Sequence, residues 1–319
     1  QAGAINMTST VGAVSVSGNI TAIRYGPKPV NIQGTSVTLA NIDKAGYTGS
    51  TYAGPANLTA TSGSLQVGDI SNYAVYGTGD INLTASGGGV QAGDLITYSS
   101  NGNGPDRAGG DISINATQSI TVRSMDTTNR RTSEDSTPDE GGAVNLHALG
   151  NITVNSNIYT YVMSTNGPAE GGTGSLGGPV TIGSTNGTVT INGFVDASSP
   201  AGPANRGSLT VRAEDEITIA AMDVDRLGDI VLISDTEAGT TISAGLLNLD
   251  SYLDKTGLTV SRFDSSTKGN IYYEPSWTGN EYLEGKTYEI QGSSYYLTPI
   301  PEPGTLALAC LGAAMLAHM

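Results

Sequence analysis

The chain has 319 residues, a formal net charge of -15, 44 glycines, two histidines and one cysteine. An acidic excess of this size excludes a nucleic-acid partner, which needs Lys and Arg against its phosphates, and disfavours adsorption to an anionic membrane surface. Phe occurs twice and Trp once, so large rings cannot fill a wide globular interior. Val, Ile, Leu and Ala suit instead a narrow core between closely stacked strands. Cys310 can form no intramolecular disulfide, which leaves packing and backbone hydrogen bonds to hold the fold. Gln1 follows no charged-then-apolar leader, and the expectation is a chain from which a signal peptide has been removed, or a fragment.

Runs of alternating apolar and polar residues recur along the chain, the period of strands with one face buried. The first full template is Gly79-Asp80-Ile81-Asn82-Leu83-Thr84-Ala85. Gly110-Asp111-Ile112-Ser113-Ile114-Asn115-Ala116 repeats it and leads into Ser119-Ile120-Thr121-Val122. Further copies start at Gly142, Gly178 and Gly207. Ile112 to Ile120, Val144 to Ile152 and Leu209 to Ile217 are each 8 residues apart, and Val180 to Val189 is 9. Between copies the step varies: 31, 32, 36 and 29 residues along Ile81, Ile112, Val144, Val180 and Leu209. A constant short step inside a variable long one indicates stacked strand pairs with one corner open to insertion. The insertions run from Ser99 to Gly109, Asp126 to Gly141, Ser164 to Gly177 and Ser198 to Gly207, in Gly, Pro, Asn, Ser and Asp.

The fold expected is all-β: a right-handed parallel β-helix with a C-terminal cap and a short C-terminal hydrophobic helix. Its coils should run from about residue 15 to 250 within a repeat region spanning 1–250. The interior ladder should include Ile81, Ile112, Val144, Val180 and Leu209. Gly before each first strand is expected to supply a sharp corner through its backbone freedom. The competing architecture is an antiparallel sandwich, favoured by the hairpin-type pairs Asn101-Gly102, Asn166-Gly167 and Asn186-Gly187. Before the tail, Gly or Pro breaks every amphipathic window of helical length.

The pattern at residues 110 to 122 and its copies resembles the β-helical repeats of filamentous haemagglutinin-like exoproteins and related bacterial adhesins. The resemblance covers roughly residues 15 to 250. It implies a rod that holds binding surfaces away from the cell.

After residue 250 the texture changes. Seven of the 15 tyrosines and Trp277 fall in residues 251–299, read here as a cap over the exposed last coil. A sugar-binding aromatic platform is the functional alternative. Pro301-Glu302-Pro303-Gly304 then leads into the apolar run Leu306 to Ala317. Residues 300–319 strongly resemble the PEP-CTERM sorting signal of exported bacterial proteins. The resemblance implies a sorting motif at Pro301, Glu302 and Pro303, an exosortase-type membrane enzyme as processing partner and transient membrane anchoring through the tail. It also implies a setting of extracellular polysaccharide. The chain ends His318-Met319, where the family carries a basic cluster. Two prolines stop helix and strand alike and keep the box extended.

Catalytic chemistry is sparse. His147 alternates outward, and it is the only histidine before the tail, so no Ser/His/Asp set or His/Cys metal cluster can be assembled. Asp223, Asp225 and Asp229 form one carboxylate group, and Glu134, Asp135, Asp139 and Glu140 another. The second lies in an insertion, where a solvated charge run is the default and calcium the alternative. The function expected is a non-enzymatic exported surface protein, structural or adhesive, with no cofactor, no metal and no catalytic residue. The alternative is a β-helix polysaccharide lyase or glycoside hydrolase, which needs two carboxylates across a sugar.

Overall fold

A computed structural model describes residues 3–22, 28–44, 53–74, 77–99, 109–131, 140–164, 176–199, 205–215, 217–223, 227, 230–234, 242–244, 247–248, 258–262, 270–273, 287–290 and 293–299. It is all-β, and its parallel sheets form a β-solenoid. The first strand of each coil belongs to a ten-stranded parallel ladder that begins with Ile5–Thr8 and Val30–Gly34 and ends with Ile230–Ser234 and Leu258–Arg262. The ladder expected from sequence is one column of it. Ile81, Ile112, Val144, Val180 and Leu209 pair in register, each with the next, and all five are fully buried.

The column continues upstream through Ala56, Val30 and Ile5, so stacking starts before residue 15. These early coils lack the Gly-Asp-Ile opening. Val30-Asn31-Ile32 and Ala56-Asn57-Leu58 nevertheless alternate correctly, and alternation decides which face is buried.

A second ladder follows at a bend. Val14, Val37, Leu65, Val90, Ile120, Ile152, Val189 and Ile217 stack in it. A third ladder stacks Ile20, Ile42, Ile70, Leu95, Met125, Ile158 and Val195. In some coils one strand crosses both ladders: Val90–Ile96 pairs with Leu65–Val67 through its first half and with Ile70–Ser71 through its second. The three apolar rows meet in one continuous core of Ile, Val, Leu and Ala. The single extra residue between Val180 and Val189 is taken up in the bend containing Asn186-Gly187, which is a corner between parallel ladders and no hairpin. Asn101-Gly102 and Asn166-Gly167 lie outside the described residues. Among the described strands, antiparallel pairing joins only Thr287–Ile290 to Ser293–Pro299, which rules out the sandwich.

The glycine corners have a different cause from the one expected. Gly110, Gly142 and Gly178 do not adopt left-handed backbone. A Cβ on each would lie 2.5, 2.2 and 2.1 Å from the carbonyl oxygen of Gly79, Gly110 and Gly142 in the coil before. Successive backbones approach so closely at this corner that no side chain fits between them.

A polar column inside the solenoid closes the same corner. Thr97, Thr127 and Thr160 are fully buried. Their hydroxyls donate to the carbonyls of Gly110, Gly142 and Gly178 at 2.5, 2.6 and 2.6 Å. The glycine N–H groups return bonds to the threonine carbonyls at 3.2, 2.9 and 2.8 Å. Each reciprocal pair joins the two ends of an insertion, so the loop can vary in length while the coil keeps its register. One coil before Thr97, Asn72 spans the corner to Gly79, and in the coil before that Lys44 reaches the Gly54 and Pro55 carbonyls.

Residues 300–319 lie outside the described residues, and with them the expected hydrophobic helix, Cys310 and the motif Pro301, Glu302 and Pro303. No described helix is long and apolar enough to cross a membrane.

Candidate functional site

The third ladder carries its interior residues inward and every second residue outward, and the alternation continues past its end. Asn72, Thr97, Thr127 and Thr160 point in; Tyr73, Tyr98, Thr128 and Tyr161 follow them in the next column, where the three tyrosines are partly exposed and Thr128 is buried. A second outward column, one alternation earlier, holds Ser71, Ile96, Asp126, Tyr159 and Asp196 in register. Two adjacent columns, rungs about 4.8 Å apart, make a flat face beside the corner where the insertions leave.

Its side chains are interlocked. Tyr73 and Tyr98 pack with ring centroids 4.7 Å apart at 52°. The Arg130 guanidinium lies 4.4 Å from the Tyr98 ring centre and bonds Asp126 at 2.9 Å. A cation over a ring face and a carboxylate beside it fix the guanidinium plane. Farther along, Tyr159 and Tyr161 meet edge to face at 5.9 Å and 86°. Asn157 donates its amide to the Tyr159 hydroxyl at 2.7 Å. Burial pushes the Tyr161 phenol above its usual range, with Asp126 and Asp196 adding to the rise and Arg130 opposing it. Tyr161 therefore stays a neutral donor through the physiological range. Asp126 and Asp196 each accept the N–H two residues on, from Thr128 and Ser198, at 3.0 Å. These Asx turns set the chain direction as it leaves the ladder.

A second charged constellation sits at the bend between the second and third ladders. Asn19, Asn41, Asp69 and Asp94 stack there; the side-chain oxygens of the first three each accept the backbone N–H of the next residue in the column, and Asp94 accepts the Ser124 hydroxyl. Arg123 forks onto Asp94 and extends to Asp69 at 3.0 Å. Its hydrogen bond holds the Asp94 carboxyl below the usual carboxylate range. This group staples coils together and leaves no cation for a ligand.

Of the residues singled out in sequence, His147 points outward between Asn115 and Gly183 of the neighbouring coils. Asp223 ends the strand Ile217–Asp223 opposite Asn248, whereas Asp225 and Asp229 lie outside the described residues. Glu140 is exposed and bridges to Leu176; its companions Glu134, Asp135 and Asp139 also lie outside. Among the described residues no group of three His, Cys, Asp or Glu is placed to hold a metal ion. The tyrosine face was not legible in advance. Its signal, Tyr one residue after an inward polar residue, becomes readable only once the third ladder is aligned across insertions of unequal length.

No family model matches the chain, and no curated protein or solved structure is significantly similar to it.

Proposed function

We propose that the chain is an exported, non-enzymatic surface rod, structural or adhesive, that works in an extracellular polysaccharide matrix. The observation that carries this reading is the interlocked tyrosine face on an otherwise acidic solenoid. Rings held on a rigid ladder offer flat, amphipathic contact area at little entropic cost. In this reading the solenoid is right-handed, as parallel crossovers overwhelmingly are. Within residues 251–299, after Leu258–Arg262 has joined the first ladder, the segment around the antiparallel pair Thr287–Ile290 and Ser293–Pro299 caps the last coil. The tail is a sorting address: an exosortase-type membrane enzyme reads Pro301, Glu302 and Pro303 while the apolar run holds the precursor at the membrane.

The test is a panel of polysaccharides scored both for binding and for new reducing or unsaturated ends. Binding without cleavage is the expected result. Product formation that Asp223→Asn or Asp225→Asn abolishes would establish the lyase or hydrolase reading instead.

A further inference from the structure

We infer that the outward face of the third ladder, from Tyr73 to Tyr161, is the contact surface for an uncharged polysaccharide chain lying along the rod axis. This rests on the polysaccharide-associated reading above and adds to it the position, direction and charge class of the ligand.

Direction follows from the register. Tyr98 and Tyr161 occupy the same outward column two rungs apart, which is about 10 Å, roughly the length of a disaccharide. Tyr159 stands beside Tyr161 in the neighbouring column, and Tyr73 is one rung before Tyr98. The ring positions therefore extend along the rod, and a linear chain laid there meets one after another. The hydroxyls of Ser71 and Ser198 lie in the same two columns, both partly exposed. Apolar faces interrupted by donors and acceptors are also the surface of a pyranose chain.

The charge class follows from the ion pairs. Arg130 is the described guanidinium of the face, and it is committed to Asp126 and to the Tyr98 ring. Asp196 lies in the same column as Asp126, two rungs away. A polyuronate would bring its carboxylates toward Asp126, with the buried Asp196 behind the same column, on a chain of net charge -15, at an unfavourable Coulomb cost. An uncharged glycan meets no such barrier and needs no unpaired cation.

Affinity electrophoresis of the full chain tests this, with gels containing a neutral β-glucan, a mannan, alginate or polygalacturonate. Retardation by at least one neutral polymer and by neither polyuronate is expected, unchanged between low and high salt. Tyr159→Ala with Tyr161→Ala should weaken it by at least about tenfold, while Thr121→Ala on the second ladder should leave it unchanged. Each variant's thermal transition is recorded, and if the double variant does not fold, Tyr73→Ser at the end of the face replaces it. A polyuronate bound in preference, or with affinity that salt abolishes, overturns the inference and leaves the polysaccharide reading standing. Neutral binding that the tyrosine variants do not weaken does the same. If no polymer is retarded, both fall.

Discussion

Arg123 reaches back across two coils to Asp69, 54 residues earlier in the chain, and its Nη2 lies 3.0 Å from that carboxylate. Between them on the same corner stands Asp94, which takes the other contacts of the guanidinium. Stacking in register forces Asp69 and Asp94 onto neighbouring rungs, and like charges at that distance repel. One guanidinium placed a rung farther on pairs with both and offsets part of that repulsion.

The pairing makes a prediction for acid stability. Asp94 is held below the usual carboxylate range, chiefly by its bond to Arg123. A depressed folded-state value contributes stability above the unfolded value of about 3.9, and that stability is lost as pH falls through the folded one. In Arg123→Met the Asp94 titration, followed by carboxyl NMR, should return toward the ordinary range, and acid unfolding should begin at higher pH. An Asp94 titration unchanged by the substitution would show the ion pair to be inconsequential.

Lys44 predicts a slope of the same sign at the alkaline end. It is fully buried in the interior column, and burial lowers its pKa from 10.5 to about 8. Below pH 8 both states carry the proton and folding bears the whole desolvation cost, about 3 kcal/mol. Between pH 8 and 10.5 the unfolded chain keeps the proton that the folded chain releases, so stability rises with pH. Urea unfolding across this window should show the rise in the native protein and its absence in Lys44→Met. At neutral pH the variant also leaves the Gly54 and Pro55 carbonyls without this donor, so the slope, rather than the absolute stability, is diagnostic.

Thr127→Val keeps the shape of the side chain and removes the hydroxyl that closes a 15-residue separation to Gly142. The expected cost is about 1–3 kcal/mol, because a buried carbonyl loses its donor. Thr121→Val, outward on the second ladder, should change stability by less than about 0.5 kcal/mol. Equal effects at the two sites would mean that the interior bond contributes nothing to closing the corner.

The sorting reading predicts that removing residues 300–319 leaves the thermal transition nearly unchanged and moves the protein from the cell to the medium. Glu302→Ala should block processing while membrane retention persists, seen as an uncleaved band in the membrane fraction. A tail deletion that unfolds the solenoid would make the segment a docked structural element.

Much of the solenoid was readable because period-two alternation and a constant 8-residue step are both local properties of the chain. Ile112 and Ile120 declare a strand pair without reference to anything distant. The reason for the glycine corners was misjudged, since sequence shows a glycine but not the carbonyl of the preceding coil that excludes a Cβ. The interior polar column was invisible for a related reason: Thr97, Thr127 and Thr160 read as ordinary loop-edge residues until the corner closes around them.

The sequence by itself determined the alternation, the narrow aliphatic core, the strand-pair repeat and the acidic charge. Each follows from which residues stand next to one another. Only the tertiary structure decided that Tyr73, Tyr98, Tyr159 and Tyr161 share a face, that Arg123 serves two acids, and that Lys44 and three threonines line the inside of one corner. These groupings join residues separated by insertions of unequal length. What brings them together is the register imposed by backbone hydrogen bonding between coils, which no spacing along the chain encodes.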